Sequence, residues 1–223
     1  MTLAELMERH RTLTTDDVGP EYFVSDSLLT NFLNEAVAEA AIRGRLLHES
    51  ADPAICQISV EADTAVYSLH SSLYELDHVA FRPAGDTQRR LVKQTSQEWL
   101  DANVQDWRDA IGDPEYLIQA DTTVRLIPRP ERDGVLLLEG YRTPKEPMAD
   151  PTDTPEINGI HHLYLVEWSK FRTFSIEDSE LYTSDKAAAA LATFEAYFGR
   201  RPDADLRHQT REDTPQTVTS FMP

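Results

Sequence analysis

GDPEYLIQADTTVRLIPRPERDGVLLLEGYRTP, residues 112–144, is the stretch whose reading decides the fold. It holds three short apolar runs, at 117–119, 124–127 and 135–138, separated by turn chemistry, with a Pro-x-Pro hinge at Pro128 and Pro130 between the second and third. Short alternating runs bounded by Gly, Pro and Asp predict a small antiparallel meander. Nothing in it is arranged as a catalytic set. It carries architecture.

Upstream of this stretch the alternation continues. Residues 55–60 and 65–69 predict a strand pair around the turn 61–64, residues 76–81 a third strand, residues 90–93 a short one, and Ser96 caps a short helix. The middle of the chain, residues 54–142, is therefore mostly β. Outside it the period is helical. Leu3, Leu6, Met7 and His10 mark an amphipathic helix over 2–13, and Ser25 or Asp26 caps a longer one with a stripe from Leu28 to Leu47. The small residues Ala36, Ala38, Ala40, Ala41 and Gly44 on it would let a neighbouring helix approach closely. After the four prolines of 144–155, which read as a linker, Ile157, Ile160, Tyr164, Trp168, Phe171 and Phe174 line a helix to about residue 176. Ala187, Leu191, Phe194 and Phe198 mark a second, with Gly199 at its C-cap. Residues 200–223 have no period and read as an extended arm whose Val218, Phe221 and Met222 need a partner to bury them.

Composition narrows the class. The chain of 223 residues is 40% hydrophobic and 27% charged, long enough for one large domain or two smaller modules, and has no apolar run near bilayer length. Its beginning lacks the basic-then-apolar order of a signal peptide, and one cysteine, Cys56, allows no internal disulfide, so synthesis in a reducing cytoplasm is expected. With 21 basic and 39 acidic residues the formal charge is −18, which argues against tight nucleic-acid binding but not against nucleic acid sliding past.

No catalytic, cofactor or metal set emerges. His161 and His162 are adjacent and point about 100° apart on a helix, without the i, i+4 spacing of zincin helices. Glu177, Asp178, Glu180 and Asp185 lack the order of a calcium loop and suit a helix–helix turn. Cys56 falls in an alternating apolar run, where a lone cysteine is a small core residue. Neither a phosphate-cradling glycine loop nor a Gly-x-Ser-x-Gly elbow occurs. The arginines at 89–90, 125, 129, 132 and 200–201 are expected in salt bridges within or between subunits.

The order of these parts resembles the head-to-tail connector (adaptor) proteins of tailed bacteriophages, including the tail tubular protein A type of short-tailed phages. The matching pieces are GDPEY at 112–116, VRLIPRP at 124–130, LLLEGYRTP at 136–144 and PEINGIHHLY at 155–164, leading to Trp168 and the acidic break at Asp178. The resemblance implies an α+β fold: a helical bundle from N- and C-terminal helices, an inserted antiparallel β domain and an extended C-terminal arm. The expected divisions are 1–53 and 157–199 for the bundle, 54–143 for the β domain, 144–156 for the linker and 200–223 for the arm. It implies a structural virion protein without enzymatic activity or cofactor, a homo-oligomeric ring, usually of twelve copies, between the portal protein and a tail nozzle or tube protein. Double-stranded DNA passes through such a ring without specific binding, and no membrane is involved. The arm, with Val218, Phe221 and Met222, becomes the candidate portal-docking segment, and Arg125, Arg129 and Arg132 candidate contacts to a neighbouring subunit or the tail. Two competing readings remain: a metal-dependent hydrolase using His161, His162 and the acids of 177–185, and a generic protein-interaction module.

Overall fold

The computed structural model describes residues 1–201 except Val18, Pro20, Glu21 and Asp178. Val218, Phe221 and Met222 lie outside the described residues. The chain opens in a reciprocal capping box: Glu5 N–H donates to Thr2 Oγ1 at 3.3 Å and Thr2 N–H to Glu5 Oε2 at 2.9 Å, starting α1 (Leu3–Thr14). Ser25 caps α2 (Asp26–Gly44), which ends at Arg45 in the left-handed region, φ 49°, with its N–H returned to Ala41 O. There follow β1 (His48–Glu49), α3 (Pro53–Cys56), β2 (Gln57–Val60), β3 (Val66–Ser68), β4 (Leu73–Pro83), β5 (Arg90–Leu91) and β6 (Lys93–Gln94). Next come α4 (Gln97–Asn103), β7 (Ile111–Gly112), β8 (Tyr116–Gln119), β9 (Thr123–Ile127), β10 (Arg129–Pro130) and β11 (Gly134–Arg142). A 3-10 turn (Gly159–His161) then leads into α5 (His162–Phe174), and α6 (Ser184–Phe198) closes the described chain. The fold is α+β.

Contacts divide it into two compact units. The first joins Met1–Glu49 with Tyr141–Arg201, and the described part of the second is Ser50–Gly140. In the first, α1, α2 and α6 pack on α5. Ala36, Ala40 and Ala41 of α2 are fully buried in one cluster with Leu165, Val166 and Phe194, so the small-residue stripe is used inside the unit to admit other helices. Trp168, Phe174 and Phe198 are buried as the helical period requires, but Ile160, placed on the apolar face by that period, lies in the 3-10 turn and is 68% exposed.

The second unit corrects three expectations. The run 112–144 is not one meander: β8 and β9 form an antiparallel pair, from Tyr116↔Ile127 to Gln119↔Val124, but β11 leaves for another sheet, where it pairs with β2 from Gly134↔Val60 to Leu137↔Gln57 and lies beside β4. Pro128 and Pro130 have no N–H to continue a ladder, so the chain peels away between β9 and β11. Residues 55–60 are not all strand, because Asp52 accepts the Ala54 N–H at 3.1 Å and Pro53 occupies the first turn of α3, which runs to Cys56. Nor do β2 and β3 pair with each other, since β3 pairs with β9. Antiparallel pairing also joins β4 to β5, while β6 with β8 and β7 with β10 are short parallel pairs. Leu117, Val124 and Leu126 of one sheet share a buried cluster with Phe81, Leu136 and Leu138 of the other, so the two sheets pack face to face. The approach of β11 to β4 requires glycine: a Cβ on Gly140 would stand 2.3 Å from Glu75 O, and one on Gly134 2.6 Å from Arg82 O.

Candidate interaction surfaces

Within the helical unit, two buried arginines hold loops in fixed positions. Arg11 is 7% exposed; Nη1 donates to Asp16 Oδ2 at 2.9 Å, Nη2 to Val24 O at 3.1 Å, and its guanidinium lies 3.6 Å from the centre of the Tyr22 ring. Asp16 takes the N–H groups of Phe23 and Val24 as well, so the segment presenting Tyr22 and Phe23 is pinned while Phe23 stays 55% exposed. Arg142 binds Glu49 at 3.1 Å through Nε and Glu156 at 3.0 Å through Nη1, and its backbone N–H donates to Leu47 O at 2.9 Å. The hydrogen bond from Arg142 is the main reason the Glu156 carboxyl is held below its ordinary pKa, opposed by burial and helped by the Lys145 N–H.

The outward surface of this unit is apolar at both ends. Met1 meets His162 at the start of α5 and His10 meets Ser169 towards its end, so α1 runs alongside α5 in the same direction. One end exposes Leu13, Tyr22, Phe23 and Leu28; the other exposes Ile160, Leu163 and Tyr197, with Tyr197 stacked on Tyr164 at 3.5 Å between ring centres. Along α6, Ala187, Ala190, Phe194 and Phe198 face inward, while Ala188, Ala189, Ala192, Thr193 and Ala196 face out. From Ala187 to Phe194 the helix carries no charge at all, in a chain that is 27% charged.

In the β unit, the arginines singled out from the sequence have partners within the chain. Arg132 reaches Asp113 at 3.2 Å, where Arg90 also binds. Arg129 Nε lies 3.0 Å from Asp63 Oδ1, an ion pair whose angle falls outside that of a hydrogen bond. Arg125 stands 5.2 Å from the centre of the buried Trp107 ring, which Arg108 also covers. All three are only half-buried, so exposure of their remaining faces is compatible with further contacts. Arg200 and Arg201 likewise pair within the chain, with Glu195 and Glu39.

Residues that suggested chemistry serve structure here. His161 Nδ1 is 3.1 Å from Tyr197 Oη, and burial lowers its pKa; His162 has Nε2 3.0 Å from Ile157 O. Cys56 is buried at the end of α3. His70 Nδ1 takes the Ser72 N–H and lies 2.8 Å from Ser72 Oγ, a local turn with the serine 7% exposed. Among the described residues, no group of three His, Cys, Asp or Glu side chains could hold a metal ion. A cleft of about 550 Å³ between β2, β4 and β11 is open to solvent, with Glu61, Arg82, Asp86 and Asp133 among its walls. No helix among the described residues is long and apolar enough to cross a membrane.

The family model for SU10 adaptor protein matches residues 1–219, almost the whole chain. The chain belongs to the SU10 adaptor protein family. No curated protein matches it. As an SU10 adaptor it is a structural component of a phage particle, in a family that is not a class of enzymes and whose members act by contact with other virion proteins. The pinned loops and bare apolar surfaces of the helical unit are the features suited to that work. The sequence signalled α6 through its inward aromatics but not the charge-free outer face, which is visible only once burial assigns the alanines to two sides.

Proposed function

We propose that this SU10 adaptor assembles into a ring, of twelve copies as in the connectors it resembles, that joins the portal vertex to the tail, seals packaged DNA and forms part of the ejection channel. The observation that carries the ring is the outward face of α6. A surface helix in a chain of charge −18 would ordinarily be studded with Asp, Glu or Lys, and here eight consecutive positions, 187–194, have none. Burial of such a face against a neighbouring copy removes it from water without stranding a charge. The net charge of −18 supports the channel, because a wall that repels phosphate lets DNA slide. The arm of residues 200–223, with Val218, Phe221 and Met222, docks on the portal, and the exposed faces of Arg125, Arg129 and Arg132 meet the neighbouring copy or the tail component.

Ala192→Arg tests the ring. Arginine is nearly as good a helix former as alanine, so the subunit keeps its fold and its urea midpoint. Its sedimentation with portal rings should fall at least about tenfold, since a buried unpaired charge costs several kcal/mol. Undiminished co-sedimentation of the variant would remove α6 from the interface.

A further inference from the structure

His10 is fully buried on α1, and both of its ring nitrogens are engaged by α5. Nδ1 lies 2.8 Å from Ser169 Oγ and Nε2 3.2 Å from Thr173 Oγ1. The proton positions follow from the surroundings. Ser169 Oγ–H donates to Val166 O at 3.0 Å, so Ser169 Oγ accepts from Nδ1–H, and Nε2 is left to accept the Thr173 hydroxyl proton. This is a neutral imidazole with each nitrogen satisfied, joining residues 159 positions apart. It lies beside the Arg11 clasp, at the end of the unit that presents Tyr22 and Phe23.

A second proton on the ring has no good place to go. It would set an N–H against the Thr173 O–H, force that hydroxyl to turn, and create a cation away from water. The charged groups facing it are Arg11 on α1, Asp16 in the segment after α1 and Lys170 on α5, with Asp26 of α2 reaching the site only through Arg11. Two of the nearer three are positive, and Asp16, the negative one, already holds Arg11 at 2.9 Å.

We propose that the His10–Ser169–Thr173 contact is an acid-operated latch: neutral, it fastens α1 to α5; protonated, it lets α1 come away. Burial, followed by the charge of Arg11, lowers the His10 pKa from 6.5 to about 4. In the released helix it returns to 6.5, so the released form takes up a proton between these values and the docked form does not. The docked state is therefore favoured in full above pH 6.5, loses ground as pH falls towards 4, and is level below that. Between pH 7 and pH 5 the ratio of docked to released α1 falls about 20-fold from this group alone.

Hydrogen exchange on the full chain reads this directly, with rates corrected for the pH dependence of amide chemistry. From pH 7 to pH 5, amides of residues 6–14 should lose about 20-fold protection while those of β8 and β9 stay level. In His10→Asn, which keeps an amide donor for Ser169 but cannot titrate, that loss should vanish. An NMR titration of His10 in the unaltered protein, independent of whether the variant folds, should place its midpoint well below 6.5. Equal loss of α1 protection in the two proteins, or a His10 midpoint near 6.5 with α1 still protected, overturns the latch.

Discussion

Arg142 illustrates how single residues hold this molecule. Its side chain is 8% exposed between Glu49 and Glu156, where β11 returns to the helical unit. Arg142→Ala removes the buried guanidinium that faces both Glu49 and Glu156 and should cost about 3 kcal/mol in urea unfolding, the low end for a broken buried pair because a third of Glu156 is in water. The Glu156 carboxyl, held down by that arginine, contributes stability that is complete above its unfolded pKa of 4.5 and lost as pH falls through its lower folded value. Glu156→Gln should therefore lower stability at pH 7 and flatten its decline below pH 4.5, as followed by urea midpoints across pH. Gly140→Ala should cost about 1–3 kcal/mol by driving a methyl into the backbone of β4. None of these roles could be read from the sequence. Arg142 and Glu49 are 93 positions apart and His10 and Ser169 are 159, and no local pattern links them.

Among elements, legibility followed the range of the forces involved. Helices α1, α2, α5 and α6 were marked by apolar period and by caps such as Ser25 and Gly199, which act within one turn. The Ser96 cap is of the same kind: it accepts the Trp99 N–H at 3.1 Å, and Ser96→Ala should cost about 1 kcal/mol, measured by urea unfolding. Strands were found, and so was the neighbouring pair β8 and β9, but the distant partners were not. Alternation says that a segment is extended, while pairing depends on where distant strands fall, so β2 went to β11 rather than to β3 and β11 abandoned the meander. The misread start of β2 is instructive because its signal was present. Asp52 followed by Pro53 is an N-cap with proline in the first helical turn, and it outweighed the apolar alternation at Ile55 and Cys56, the last two residues of α3.

For the whole molecule, the charge of −18 sets two demands against each other. In the proposed ring it would keep a DNA channel slippery, yet it would make identical subunits repel. The proposed contacts through an uncharged helix face would resolve this only where copies already stand close, and a portal ring would supply that proximity by raising their effective concentration. Salt should do part of the same work: because the Debye length shrinks from about 10 Å at 0.1 M to 3 Å at 1 M, self-association in sedimentation velocity should rise with ionic strength. A family match from 1 to 219 identified the chain as a phage adaptor, and the surfaces described above give that assignment a physical form. The most direct test is electron microscopy of the purified protein mixed with the portal ring of its own phage. A second ring of adaptor copies seated on the portal, one at each symmetry-related position, is the expected result. Portal rings left bare, with the adaptor remaining as separate monomers at every salt concentration, would contradict it.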